Sequence, residues 1–242
     1  MRVLVTRAAD QAEATAARLE ALGHTAVVAP LTRLVFDAEI ELPLAGTAAL
    51  VVTSANALAA LKGRTDLDAL RALPLFAVGR RTAAAARDLG FATVVSADGD
   101  RDDLARLICA NLSVDAGALL WLAGRDRTPG FAETLAERGF RVVEREIYRS
   151  EEIGEFPPET AAALARGEID AIAVYSPRSA SLIVAAWKAC GFSPTSSGLA
   201  IHAISEAAAR PFREIGATTI VAARPEESAL LATLAPPDAG GA

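Results

Sequence analysis

The sequence has only two cysteines in 242 residues, Cys109 and Cys190. They lie far apart and in no metal-ligand spacing, which fits free thiols in a reducing cytosol and argues against a disulfide framework or a thiol catalyst. Histidine is as scarce, with His24 and His202 alone. Neither has a second ligand nearby in sequence, so both read as structural, and no Ser-His-Asp set can be assembled around them. No metal site is expected. No apolar run reaches the length of a membrane span, because charged or polar residues interrupt every one. The opening Met1-Arg-Val-Leu-Val-Thr passes directly into a strand pattern, without the basic region, apolar stretch and small-residue cleavage site of an export signal. A cytoplasmic location is therefore expected. The formal net charge of −6 leaves no broad basic face for DNA or RNA. HExxH, a Walker lysine loop, GxSxG and GxGxxG are all missing. Any chemistry must then rely on positioning more than on acid–base force.

What the chain does have is alternation. Apolar, β-branched runs predict strands at Val3–Val5, Thr25–Val28, Ala49–Val52, Leu75–Val78, Thr93–Val95, Leu119–Leu122, Val142–Tyr148, Ala171–Val174, Leu199–Ala203 and Thr219–Val221. Alanine-rich helical runs separate most of them. Asp10 with Glu13, and Asp100 with Asp103, have capping-box spacing. Ser176-Pro177 supplies an N-cap followed by proline at the first helical position. Gly23, Gly90, Gly139 and Gly216 read as helix ends. Strands and helices alternating at this spacing predict an α/β fold with parallel sheets covered on both faces.

The chain also repeats itself. Adding 126 to a residue number carries Gly79 to Ser205, Gly90 to Gly216, Val95 to Val221 and Leu104 to Leu230. Thr53-Ser54 after one strand echoes Ser176-Pro177 after another, and VLVTR at the start echoes LWLAGR at Leu120–Arg125. A duplicated α/β unit, and hence two similar domains, is expected.

In open parallel sheets, ligands bind beyond the carboxyl ends of the strands. Those positions hold Thr6-Arg7, Thr53-Ser54, Gly79, Gly124-Arg125, Ser176 and Ser205. Nearly all are small, hydroxylic or cationic, and helix starts with unpaired N–H groups follow them. Each serine or threonine can serve simply as an N-cap. As a set, they line a ligand face with anion receptors, and two such faces would suit a large, multiply charged anion.

In order and spacing, VLVTR with Gly23 and Pro30, VTSANAL, FAVGRRTA, AGRDR with Gly139, the strand ending in Tyr148, and YSPRSA resemble the uroporphyrinogen-III synthase family over essentially the whole chain. The resemblance implies two α/β domains joined by a pair of β-strand connectors near Leu31–Phe36 and Arg145–Ser150. One domain is discontinuous, residues 1–36 plus 151–242, and the other is 37–150. It implies a monomeric, cofactor-free lyase of tetrapyrrole and heme biosynthesis. Its substrate is a linear tetrapyrrole, hydroxymethylbilane, which it closes to uroporphyrinogen III with inversion of the terminal ring. Tyr148 aligns with the family's cleft tyrosine and is expected to donate to the departing hydroxyl, the alternative being a packing tyrosine at a strand end. Arg7, Thr53, Ser54, Gly79, Thr82, Gly124, Arg125, Ser176 and Ser205 are expected to hold substrate carboxylates. The chain departs from the family at Ser205 and Ala208, where glycine and threonine are usual; a serine still presents its backbone N–H. Tyr175 receives no role. The rival readings are a catalytically silent tetrapyrrole- or anion-binding regulatory domain of the same fold, and a periplasmic-type binding protein, against which the missing export signal argues.

Overall fold

The computed structural model describes residues 1–194 and 198–234. In chain order the first elements are β1 (Arg2–Val5), α1 (Ala9–Ala21), β2 (Thr25–Val28), β3 (Thr32–Phe36), β4 (Thr47–Val52), α2 (Ala55–Ala59) and α3 (Leu67–Arg71). There follow β5 (Leu75–Ala77), α4 (Arg80–Asp88), β6 (Val94–Ser96), α5 (Arg101–Asn111), β7 (Ala118–Gly124), α6 (Phe131–Glu137) and β8 (Val142–Glu152). The last are α7 (Pro158–Ala165), β9 (Ala171–Val174), α8 (Pro177–Cys190), β10 (Ala200–Ala203), α9 (Glu206–Arg213), β11 (Thr219–Val221) and α10 (Glu227–Ala232).

These elements form two compact units, one of Met1–Arg33 with Glu151–Ala242 and the other of Leu34–Ser150. The chain passes between them inside β3 and again inside β8, which are ladder neighbours. Asp37 N–H donates to the Ile147 carbonyl at 2.9 Å and Ile153 N–H to the Leu31 carbonyl at 2.8 Å. These pairings step in opposite directions along the two strands, so the connector is an antiparallel pair.

The discontinuous unit carries a five-stranded sheet of order β11-β10-β9-β1-β2, parallel at every pairing. The continuous unit has the order β3-β8-β7-β4-β5-β6, parallel from β8 to β6. Read from β11 and from β6, the two orders match strand for strand: β10 with β5, β9 with β4, β1 with β7 and β2 with β8. The 126-residue offset thus carries one βαβα run onto the other, as a duplicated unit requires.

Both sheets are sandwiched. Side chains alternate across a strand, so Leu4, Ile172, Val174 and Ile201 face Trp187 and Phe212 on one side of the first sheet. Val3, Val5, Ala171 and Ala173 face Leu19, Leu230 and Leu231 on the other. In the second unit Leu50, Val52, Leu75 and Leu120 pack on Leu58, Leu61 and Leu70, and Val51, Phe76, Leu119 and Trp121 on Leu104, Ile108 and Phe131.

The local signals vary in outcome. Asp100 caps α5 in a capping box with Asp103, and Ser176 caps α8 with Pro177 behind it. Gly23, Gly90, Gly139 and Gly216 all take positive φ. Asp10 does not stand at the N-cap position expected of it: α1 starts one residue before it, at Ala9, with Ala8 as N-cap. The turn after β1 is short, so the helix is already under way when Asp10 is reached.

Candidate functional site

In the continuous unit, three strand ends bring the expected residues to one edge of the sheet. After β4 comes Thr53, and Ser54 caps α2, its Oγ accepting from Asn56 N–H at 3.3 Å. After β5, Gly79 is the N-cap of α4 and offers no side-chain cap to that helix. A helix start offers amide donors and positive potential to an anion. Thr82, one turn in, is buried. Arg80 at the same helix start pairs with Asp98 at 2.7 Å, and Ser96 Oγ donates to the same carboxylate at 2.5 Å. The Ser96 hydrogen bond, then that of Arg80, hold the Asp98 carboxyl below its usual range. Thr53 also lines a polar pocket of about 530 Å³ with Val78, Asp100, Arg101, Gly130 and Phe131. Arg101 was not among the expected residues, although its place next to the Asp100 cap put it at a helix start in sequence.

The third strand end is Gly124, and beside it on β8 stands Tyr148. The register shifts between Ala123 and Gly124, which sets Gly124 opposite Tyr148. The phenol ring lies directly over the glycine: a Cβ there would meet Cζ at 2.5 Å and the hydroxyl oxygen at 2.7 Å. Tyr148 is half-buried on the core, and among the described residues its hydroxyl has no hydrogen-bond partner. Arg125 is exposed, with Glu146 at 3.5 Å. Arg127, which the sequence did not single out, meets the Gly124 carbonyl at 2.9 Å and Glu146 at 2.8 Å. Its hydrogen bond is the main cause that holds the Glu146 carboxyl below its usual range.

The discontinuous unit repeats the arrangement with differences at its caps and at its arginine. Ser176 and Ser205 are N-caps whose hydroxyls are spent on their own helices, accepting from Ser179 N–H at 3.1 Å and Ala208 N–H at 3.3 Å. Arg7, expected to face a ligand with its charge, is instead matched internally. Its Nη1 donates to Glu227 Oε1 at 3.0 Å and to Thr15 Oγ1 at 3.1 Å, and its guanidinium lies 4.0 Å from the ring centre of Tyr175. The same Glu227 oxygen accepts from Thr15 at 2.8 Å and Tyr175 at 3.1 Å, and Arg18 pairs with the other. Burial raises the Tyr175 phenol above its ordinary pKa. Tyr175, given no role from sequence, and Glu227, 220 residues from Arg7, therefore decide what Arg7 can do.

Both edges are rich in amide and hydroxyl donors, and among the described residues no cluster of three metal-binding side chains occurs. Among the described residues no helix is long and apolar enough to cross a membrane. The structure is similar to the uroporphyrinogen-III synthetase of Helicobacter pylori, with a TM-score of 0.62 and 18% identity over 96% of this chain and 97% of that one. It also matches a mutant uroporphyrinogen III synthase from Thermus thermophilus, with a TM-score of 0.49 and 21% identity over 97% of this chain and 96% of that one. No curated protein matches the sequence. The family model described as uroporphyrinogen-III synthase HemD matches residues 13–232, nearly the whole chain, and the chain belongs to that family.

Proposed function

We propose that the chain closes hydroxymethylbilane to uroporphyrinogen III, with Tyr148 as hydrogen-bond or proton donor to the hydroxyl that leaves. Loss of water from the terminal hydroxymethyl group gives an azafulvene electrophile. The far pyrrole ring attacks it through its substituted carbon, and the spiro product fragments and recloses with that ring inverted. The atoms balance as one substrate giving one macrocycle and one water. The protein's task is to bring the less accessible carbon to the electrophile, which is a matter of orientation.

The observation that carries this reading is the Tyr148 hydroxyl, which has no hydrogen-bond partner among the described residues and stands beside Gly124, on the edge that also holds Thr53 and Gly79. The start of α4, with Thr82 one turn in, is the favoured receptor for a substrate carboxylate. Thr53, Ser54, Gly124 and Arg125 complete that edge. In the other unit the turns at Ser176 and Ser205 contribute backbone donors. Arg7 contributes through its turn, since Glu227 already matches its charge. The chain acts as a cytoplasmic monomer without a cofactor, on a linear tetrapyrrole and not on nucleic acid.

The test is to supply purified protein with hydroxymethylbilane and resolve the type I and type III isomers. Type III is expected from the wild type, and Tyr148→Phe should slow its formation at least tenfold with the fold unchanged. If type I is the sole product, the chain is a silent binding domain. A Tyr148→Phe variant as fast as wild type removes the donor role.

A further inference from the structure

Gly124 has no side chain where the structure leaves no room for one. A Cβ built there would stand 2.5 Å from Cζ, 2.7 Å from Cε2 and 2.7 Å from the hydroxyl oxygen of Tyr148. Carbon atoms in contact sit near ~3.5 Å, so the ring fills about 1 Å of space that any other residue would claim. Backbone conformation is not the reason for glycine, because Gly124 is not among the glycines with positive φ. An alanine can adopt its conformation without strain.

The turn is held in place, so the ring is the part that must yield. Arg127 Nη1 meets the carbonyls of Gly124 at 2.9 Å and Arg125 at 3.2 Å, and the Glu146 carboxylate at 2.8 Å. Its Nη2 pairs with Glu144, and its guanidinium lies 5.7 Å from the Trp121 ring centre. Arg125 N–H donates to the Tyr148 carbonyl at 3.0 Å. A planar guanidinium with several donors fixes such a turn in a way that a single ammonium does not. Among the described residues the far end of the Tyr148 side chain has no comparable tether.

We infer that Gly124 is a positioning residue for Tyr148: its missing side chain is the seat that sets where the phenol hydroxyl stands. This role is additional to that of Gly124 on the substrate-binding edge, and it rests on the reading of Tyr148 as the donor. An added methyl displaces the hydroxyl by about 1 Å, and a misplacement of that size costs on the order of 100-fold in rate.

The experiment uses Gly124→Ala, Tyr148→Phe and the double variant, with full kinetics and with 3-fluorotyrosine labelling. The chain has two tyrosines, so the ¹⁹F spectrum has two resonances, and the one lost in Tyr148→Phe is that of Tyr148. In Gly124→Ala the Tyr148 resonance should move while that of Tyr175 stays, which also reports a retained fold. Turnover should fall between about tenfold and about 100-fold with KM nearly unchanged. The double variant should be no slower than Tyr148→Phe. An unmoved Tyr148 resonance overturns the inference. So does a double variant slower than Tyr148→Phe by the full factor seen for Gly124→Ala. A moved resonance together with a fully active Tyr148→Phe would instead remove the donor role and leave the seat standing.

Discussion

His202 makes the stability of the discontinuous unit sensitive to acid. It sits in β10, 2% exposed. Its Nδ1 lies 2.7 Å from Thr233 Oγ1, and that hydroxyl donates its own proton to the Leu230 carbonyl at 2.6 Å. The imidazole must therefore be the donor at Nδ1, and its Nε2 is a buried acceptor with no partner among the described residues. Burial first, and the nearby His24 second, lower its pKa from 6.5 to about 4. Below pH 6.5 the unfolded chain takes up a proton that the folded chain refuses until about pH 4. Stability is therefore complete above the unfolded pKa and falls as the pH drops through this window, then levels off. At about 1.4 kcal/mol per pH unit, the loss is about 3 kcal/mol. The assay is urea denaturation at a series of pH values for the wild type and for His202→Asn. The asparagine amide does not titrate and can still donate to Thr233. The wild type should lose about 3 kcal/mol more than the variant between about pH 6.5 and about pH 4. Equal losses in the two proteins would refute the reasoning, because other groups titrate alike in both.

Two further perturbations test the packing and the ion network. Trp187, 1% exposed, has the rings of Phe192 and Phe212 at 5.5 Å and 5.4 Å. Trp187→Ala should cost about 4 kcal/mol in denaturant unfolding, and a loss below about 1 kcal/mol would mean that the site collapses around the cavity. Glu227→Gln removes the charge that Arg7 and Arg18 share on a carboxylate 21% exposed. It should cost about 2 kcal/mol and leave KM for hydroxymethylbilane nearly unchanged. A large change in KM would show that the Arg7 charge reaches the substrate.

Much of the fold was legible because its signals are local. Ser176-Pro177 and Asp100 with Asp103 became helix starts since a cap and its target N–H groups lie within three residues. The 126-residue echo exposed the duplication because two copies of one βαβα unit keep the same spacing of turns and glycines. Asp10 with Glu13 shows the limit of such reading. The spacing was right, but the chain entered α1 from Ala8, and where a helix begins depends on how the preceding strand leaves the sheet.

By itself the sequence determined the alternation of elements, the parallel layers and the ring of small and hydroxylic residues at the strand ends. Side-chain period, cap chemistry and glycine at helix ends act over one or two turns of chain. Only the tertiary structure decided that Arg7 is matched by Glu227 and that Tyr148 rests on Gly124. The first pairing joins residues 220 apart, and the second depends on a register shift between β7 and β8. Neither leaves a local mark, because a partner across a sheet is fixed by how strands and helices dock, and a shift of one residue changes which side chains meet.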